Sequence, residues 1–404
     1  MFRGHRMSSK NSYQLHISGA DETIKALCDM AIKERYGDSL PKNLSERLER
    51  ELSAISINNY STHYLLAHDM VKTSLEKGYR VSARSGLGSL FTSYLLGLTE
   101  ICPDASVGGI DMMPEVFMGS DLSREPEIVL NFAPEVLPDV IAMLKERFGE
   151  KNVIGAGITV VDSSGNVKIG VHSSGIFIVP EDVDIQTITD LREDERDDGI
   201  RLMVTERHYK DVEKYMFKYN LCSKPELGNL HDLEARTGIS IDSIPMDDTT
   251  VANVVERVGD CFYEKDYFAS VAFDVVKPHS FVDIVKLLGL THMSLLTEND
   301  DGKRMRYIKS ANKYGITCRD DIMDCLIQAG FDIDTSYKIM LHFIRGKGMT
   351  EEIQQILFNQ GISRNLVELL GQIGYVFHRS QVASYALLDW RMMYYYYLET
   401  NKRG

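Results

Sequence analysis

Glu127 and Val129 decide which chemistry this chain can attempt. The run Glu125-Pro126-Glu127-Ile128-Val129-Leu130-Asn131-Phe132 reads as a strand over residues 126–132, and alternate residues of a strand project to one face. Two carboxylates at i and i+2 on such a face can hold two divalent ions a few ångströms apart. One ion then activates an attacking oxygen and the other supports a leaving pyrophosphate. Glu127 can ligate; Val129 cannot. A second signal is the Gly-containing segment Arg84-Ser85-Gly86-Leu87-Gly88-Ser89, set between a strand read over residues 79–83 and a helix read over 89–96. Backbone N–H groups and the helix dipole at such a junction favour a phosphate. The same turn is common for purely structural reasons.

The elements that must position these residues follow from periodicity. Apolar residues at helical spacing predict helices over 21–36, 44–57, 60–77 and 137–148. β-branched runs at 153–161, 167–171 and 176–179 read as strands. Asp162-Ser163-Ser164-Gly165-Asn166 reads as a tight hairpin turn. Beyond residue 223 the pattern is mostly helical, with Gly330, Gly348, Gly361 and Gly374 as punctuation. Residues 1–17 are polar and without periodicity, a frayed tail in expectation.

The chain has 404 residues, with 44% apolar and 26% charged, enough for two or three domains with their own cores. No run of 18 apolar residues and no apolar leader occurs, so the expectation is a soluble, cytoplasmic chain with no membrane partner. Six cysteines form no CxxC pair and no metal spacing, so reduced thiols are expected and zinc is not. A net charge of −14 argues against an evident nucleic-acid binder, because phosphate affinity comes from Lys and Arg. Residues 181–198 hold nine acidic and two basic residues and read as a solvated loop. Residues 303–319 hold six basic and no acidic ones, either a solvated helix face or a phosphate-facing surface.

In order and spacing, from about residue 18 to about residue 395, the chain resembles the PolC-type alpha subunit of bacterial DNA polymerase III. That family writes its metal strand P-D-I-D-L-N-F where this chain has Pro126-Glu127-Ile128-Val129-Leu130-Asn131-Phe132. Its phosphate loop, S-R-G-S-V-G-S-S-F followed by T-E-V-N-P, is matched by residues 83–91 and by Thr99-Glu100-Ile101-Cys102-Pro103. Its third carboxylate lies in K-L-D-I-L-G, matched by Lys218-Tyr219-Asn220-Leu221-Cys222-Ser223 on counting back from Thr237-Gly238-Ile239. Further matches are the residue 47–51 helix, His172 with Gly175, Cys318-Arg319-Asp320-Asp321, Arg345-Gly346-Lys347-Gly348, Tyr385 and Arg391.

The resemblance implies an α+β fold: a mixed-sheet palm of the nucleotidyltransferase type over residues 18–222, then a mostly helical fingers domain over 223–404. The thumb that separates comparable strands in the family is replaced by the turn at 162–166. By the resemblance, no counterpart of the family's exonuclease, PHP, clamp-binding and oligonucleotide-binding parts is expected in these 404 residues. The three metal positions become Glu127, Val129 and Asn220, with only Glu127 a weak metal candidate. Arg84, Gly88, Ser89, Arg319, Arg345, Lys347, Tyr385 and Arg391 match nucleotide- and phosphate-facing positions. Asn220 offers a carbonyl but no negative charge, so a Glu–Val–Asn set should bind magnesium poorly. The expectation is a degenerate homologue without a cofactor that binds nucleotide or DNA weakly, or another protein through its Tyr-rich residues 394–397. The alternative is an active polymerase fragment or split subunit that uses Mg2+.

Overall fold

The computed structural model describes residues 15–263, 267–296 and 301–401; residues 1–14 of the expected tail lie outside these. Two compact units divide the chain, each assembled from separated stretches. The first combines the described residues up to Met30 with Asn59–Val81 and Glu127–Asn229. The second combines Ala31–Asn58, Ser82–Pro126 and the described residues from Leu230 onward. The chain therefore crosses from one unit to the other five times.

The described strands are β1 (Ser82–Ala83), β2 (Val129–Phe132), β3 (Val153–Val161), β4 (Val167–Ile178), β5 (Leu191–Glu195), β6 (Arg201–His208), β7 (Lys218–Ser223), β8 (Ser294–Leu295) and β9 (Ile373–Tyr375). In the first unit six of them stand in the order β2-β7-β4-β3-β6-β5. The β2–β7 and β3–β6 pairs are parallel, and the β7–β4, β4–β3 and β6–β5 pairs are antiparallel. This is the mixed sheet that the α+β reading implied. All four residues of β2 are buried, and β7 is its parallel neighbour. Leu137–Phe148 forms a helix with Pro at its start and a buried Leu137, Val140, Ile141, Leu144 stripe. Ile154, Ala156, Phe177, Val179, Ile188, Val212 and Met216 make a core cluster under the sheet.

No thumb interrupts these strands. Between Gly149 and Lys218 the longest α-helix is the four-residue Tyr209–Val212. β3 and β4 are joined by the turn at residues 162–166, where the Asp162 carboxylate accepts the Ser164 and Asn166 N–H groups and Gly165 takes φ 83°. Two sequence expectations change here. The strands read at 167–171 and 176–179 are one strand, β4, in which Ser173-Ser174-Gly175 makes a bulge instead of a chain-reversing turn. Between the pairs Gly155–Ile176 and Gly157–Val171 the single residue Ala156 of β3 faces four residues of β4, His172 to Gly175. A Cβ on Gly157 would sit 2.2 Å from the Thr205 carbonyl oxygen, so only glycine lets the backbones approach so closely. The acidic run 181–198 is not all loop either, since it contains β5. Four successive charged residues, Arg192 to Glu195, with Arg192 paired to Asp194 at 2.8 Å, suit an edge strand that must not recruit another.

The second unit is helical, with the β8–β9 ribbon as its small sheet. Ser280, Asp332, Thr350 and Ser363 each cap the helix that follows by accepting a backbone N–H. The long Arg379–Asn401 helix is pinned by Trp390, whose indole N–H donates to the Pro245 carbonyl at 3.1 Å. The Tyr-rich stretch packs inward at Tyr395, fully buried, with its hydroxyl donating to the Ile239 carbonyl at 2.7 Å. Tyr396 is exposed. Among the described residues no helix is long and apolar enough to cross a membrane.

Candidate functional site

The metal-position residues of the first unit meet on its sheet. β2 and β7 run in register with Val129 beside Asn220, and Gly175 of β4 stands on the other side of Asn220. Register partners project to one face, so an isopropyl group, a carboxamide and a bare backbone form a row. Val129 and Asn220 are only 8% and 6% exposed. Glu127 is exposed and lies ahead of β2, so the strand starts later than the sequence suggested. Pro126 has no N–H to give a ladder, and the pairing begins at the Ile128 carbonyl, which accepts the Asn220 N–H at 3.0 Å.

This donor set does not fit a pair of hard dications, which need carboxylate oxygens around one small space. Among the described residues no group of three or more His, Cys, Asp and Glu is placed to hold a metal. The nearby acids Asp111 and Asp121 are engaged in their own loops of the second unit. Asp111 accepts the Ala105 N–H at 2.8 Å, and Asp121 accepts the N–H and hydroxyl of Ser123.

Sequence reasoning passed over the cations around Asn220. Lys218 is i−2 from Asn220, and strand alternation alone places it on the same face. Its ammonium lies 3.7 Å over the Tyr209 ring and 2.7 Å from the Glu213 carboxylate. Arg196 is buried, paired to Asp198 at 2.6 Å and donating to the Leu221 carbonyl at 2.9 Å. His172 is satisfied, its Nδ1 accepting the Ser174 and Gly175 N–H groups. Burial, then the Lys218 and Arg196 charges, push it down to about 4, so it stays neutral. One residue along β7, Tyr219 faces the other way and shares a 2.6 Å hydrogen bond with His63, which stacks on Phe217 at 3.8 Å. Full burial takes His63 down to about 3.

The eight phosphate- and nucleotide-facing positions all fall in the second unit, and most are occupied with its own structure. In the loop, Gly88 and Ser89 are buried, and the Ser89 hydroxyl donates to Ser380 Oγ at 3.0 Å. Gly86 is demanded by packing, because a Cβ there would lie 2.5 Å from the Phe117 ring. Ser85 holds φ 59°, the left-handed region that non-glycine residues rarely take. The helix that follows is only Phe91–Leu95, and a protein carboxylate already fills the place of an anion at its start. Glu51, with no exposed surface, accepts the Phe91 and Thr92 N–H groups at 3.1 and 2.8 Å and the Thr92 hydroxyl at 3.0 Å. Arg47 pairs with Glu51 at 2.9 Å and donates to the Pro103, Ser89 and Met112 carbonyls.

Arg319 is also spent internally. It donates to the Val376 carbonyl at 2.8 Å, shares a 3.0 Å hydrogen bond with His378 and lies 5.0 Å from the Tyr375 ring centroid. Burial, then Arg319, hold His378 well below the usual imidazole range. The adjoining acids are gathered instead by Arg379, whose N–H donates to Asp320 and whose guanidinium reaches Asp321 and Asp324. Arg391 is locked to both oxygens of Glu100 at 2.8 and 2.7 Å. Tyr385 is half-buried against Phe377 and His292. Arg84 is half-buried, and Arg345 and Lys347 are exposed beside Gly346 and Gly348.

A family profile described as the bacterial DNA polymerase III alpha NTPase domain matches residues 22–163. The chain is 26% identical to the PolC-type DNA polymerase III of Caldanaerobacter subterraneus over 95% of its own length and 34% of the relative. It is 25% identical to that of Thermotoga petrophila, over 94% and 34%, and 26% identical to that of Staphylococcus aureus, over 95% and 33%. The chain spans about a third of the length of these curated relatives.

Proposed function

Because the chain is a homologue of the PolC-type alpha subunit of bacterial DNA polymerase III, we propose that it is a degenerate polymerase core that no longer transfers nucleotides. It acts instead as a nucleotide- or DNA-binding or protein-interaction module in replication or mobile-element biology. The observation that supports this reading is the register of Val129 with Asn220, which sets an apolar side chain and an amide side by side where two-metal transfer needs negative charge. Positioning and charge neutralisation by metals carry most of that reaction, so losing two carboxylates removes its main driving term.

A primer–template incubated with all four deoxynucleotides and magnesium or manganese should show no extension. The same duplex, fluorescently labelled, should bind weakly and lose affinity with salt. Template-directed extension by the unmodified chain, abolished by Glu127→Ala, would overturn the reading. It would favour instead the active fragment, for which the retained carboxylate of Glu127 is the one supporting feature.

A further inference from the structure

The basic stretch 303–319 divides in the structure. Arg304 is spent on the Thr291 carbonyl at 2.9 Å and on the Phe268 ring at 3.8 Å, and Arg319 on the Val376 carbonyl. Arg306, Ser310 and Lys313 stand at i, i+4 and i+7 of the Asp301–Tyr314 helix, a spacing that puts them on one face. That face lines a groove of about 440 Å³ in the second unit, within the range that takes a small molecule. Asn365, Glu368 and the buried Leu369 of the Arg364–Leu370 helix line it as well. Arg306 and Lys313 are exposed, and among the described residues neither is paired with a carboxylate. The acid on the lining, Glu368, lies 3.2 Å from Arg364. Lys303 lines the groove too but has an interaction of its own. Even without Lys303, and with Glu368 at full charge against Arg306 and Lys313, the lining carries one net positive charge. The Arg364 pairing raises that toward two.

We propose that this groove is a binding site for a small phosphate monoester with a flat body, of the aryl phosphate class. The phosphoryl group sits between Arg306 and Lys313, with the Ser310 hydroxyl and the Asn365 amide as further donors to its oxygens. The flat body lies against the half-buried ring of Tyr314. A monoester brings nearly two negative charges and three terminal oxygens, which matches two uncommitted cations and several donors better than a carboxylate does. A phosphodiester offers a single charge per phosphate and gains less. None of the lining residues belongs to the eight phosphate- and nucleotide-facing positions or to the three metal positions, so binding here is independent of whether the chain transfers nucleotides.

Phenyl phosphate is a suitable probe, with benzoate as its singly charged counterpart, and ligand-observed NMR of the whole chain at low salt and about pH 7.5, above the second phosphate pKa, reads both. Phenyl phosphate should saturate with a Kd on the order of 1 mM, as befits so small a ligand, and benzoate should bind roughly threefold more weakly or worse. Arg306→Gln together with Lys313→Gln, both at exposed positions, should weaken phenyl phosphate binding roughly tenfold while leaving the unfolding temperature unchanged. Lys309→Gln, on the same helix but off the lining, should change it less than about twofold. Asn365→Trp sets an indole in the groove from an exposed position on the other helix; it should abolish binding, and it carries the test if the double variant does not fold. Benzoate binding as tightly as phenyl phosphate, binding untouched by the double variant or by Asn365→Trp, or Lys309→Gln as damaging as the double variant would each overturn the proposal. So would no phenyl phosphate binding at ten times the expected Kd, or its displacement by an unphosphorylated oligothymidylate at equal phosphate concentration, which would assign the groove to a phosphodiester chain.

Discussion

Replacing Val129 and Asn220 together with aspartate should turn a metal-indifferent sheet into a metal-dependent one. The two residues are register partners on adjacent parallel strands, and such strands lie about 4.8 Å apart. Two ionised carboxylates projecting from them would sit about 5–6 Å apart, and at an effective dielectric of about 20 they repel by about 3 kcal/mol. Exposures of 8% and 6% add a desolvation cost to that figure. Both carboxyls should therefore be pushed above the ordinary carboxylate range in the folded state. The penalty is then absent while they are protonated and grows as pH rises through the raised values. A divalent ion offsets it: with about 10 mM Mg2+ and a Kd of about 1 mM the gain is about 1.4 kcal/mol, or roughly 3–6 °C in unfolding temperature. Thermal unfolding of the native chain and the double variant, in magnesium against chelator at matched ionic strength, reads this directly. The native chain should not move and the variant should rise. An equal rise in the native chain would refute the reasoning, because it would mean that the residues now at 127, 129 and 220 already hold the ion. A folded variant indifferent to magnesium would refute it too, because the two side chains would then not share a face.

Glu51→Leu strips the carboxylate from two backbone N–H groups and from Arg47, and should cost about 3–5 kcal/mol in chemical denaturation; a loss below about 1 kcal/mol would contradict the buried network. His63 is held neutral by burial, down to about 3, so the stability it allows is complete above pH 6.5 and falls by about 1.4 kcal/mol per pH unit as pH drops from there toward 3. The difference in stability between His63→Phe and the native chain should shift with that slope across pH 7 to 5, and a pH-independent difference would show that the imidazole can be charged in place. Ser89→Ala loses the hydrogen bond to Ser380 and should cost about 1 kcal/mol without changing triphosphate affinity in calorimetry. A tenfold loss of triphosphate affinity would show that the loop does cradle phosphate.

Much of the fold could be read from local pattern. The 137–148 helix and the 153–161 strand match Leu137–Phe148 and Val153–Val161 because one-sided periodicity and Gly or Pro punctuation agree at those ends. Ser173-Ser174-Gly175 misled because small residues serve a turn and a bulge within a strand equally well, and the pairing with β3 decides between them. β5 was hidden inside an acidic run because an edge strand can carry charge on successive residues. The candidate site was harder to read. A glycine pattern records only that no Cβ is tolerated, and the Phe117 ring demands that as strictly as a phosphate would. Glu51 reaches the loop helix from 40 residues away, a separation that local pattern does not register. The same holds for Arg319 and Arg391, since a sequence shows a charge but not the Val376 carbonyl or the Glu100 carboxylate that uses it.

The interleaving of the two units governs how this protein can be made. Ribosomes deliver roughly 5–20 residues per second, and the Ser89 hydroxyl meets its Ser380 partner 291 residues later, a wait of about 15–60 s. Throughout that interval the Lys42–Ile57 helix and the 82–126 stretch are tethered to a nascent chain without the helices that complete their unit. The first unit closes earlier, once Asn229 has emerged, and can serve as a folded platform while the rest is synthesised. A fragment cut at residue 222 would end inside β7 and strand residues 31–58 and 82–126 without their complement. Soluble expression of the halves therefore calls for co-translation of both, or for a rearranged gene that makes each unit contiguous.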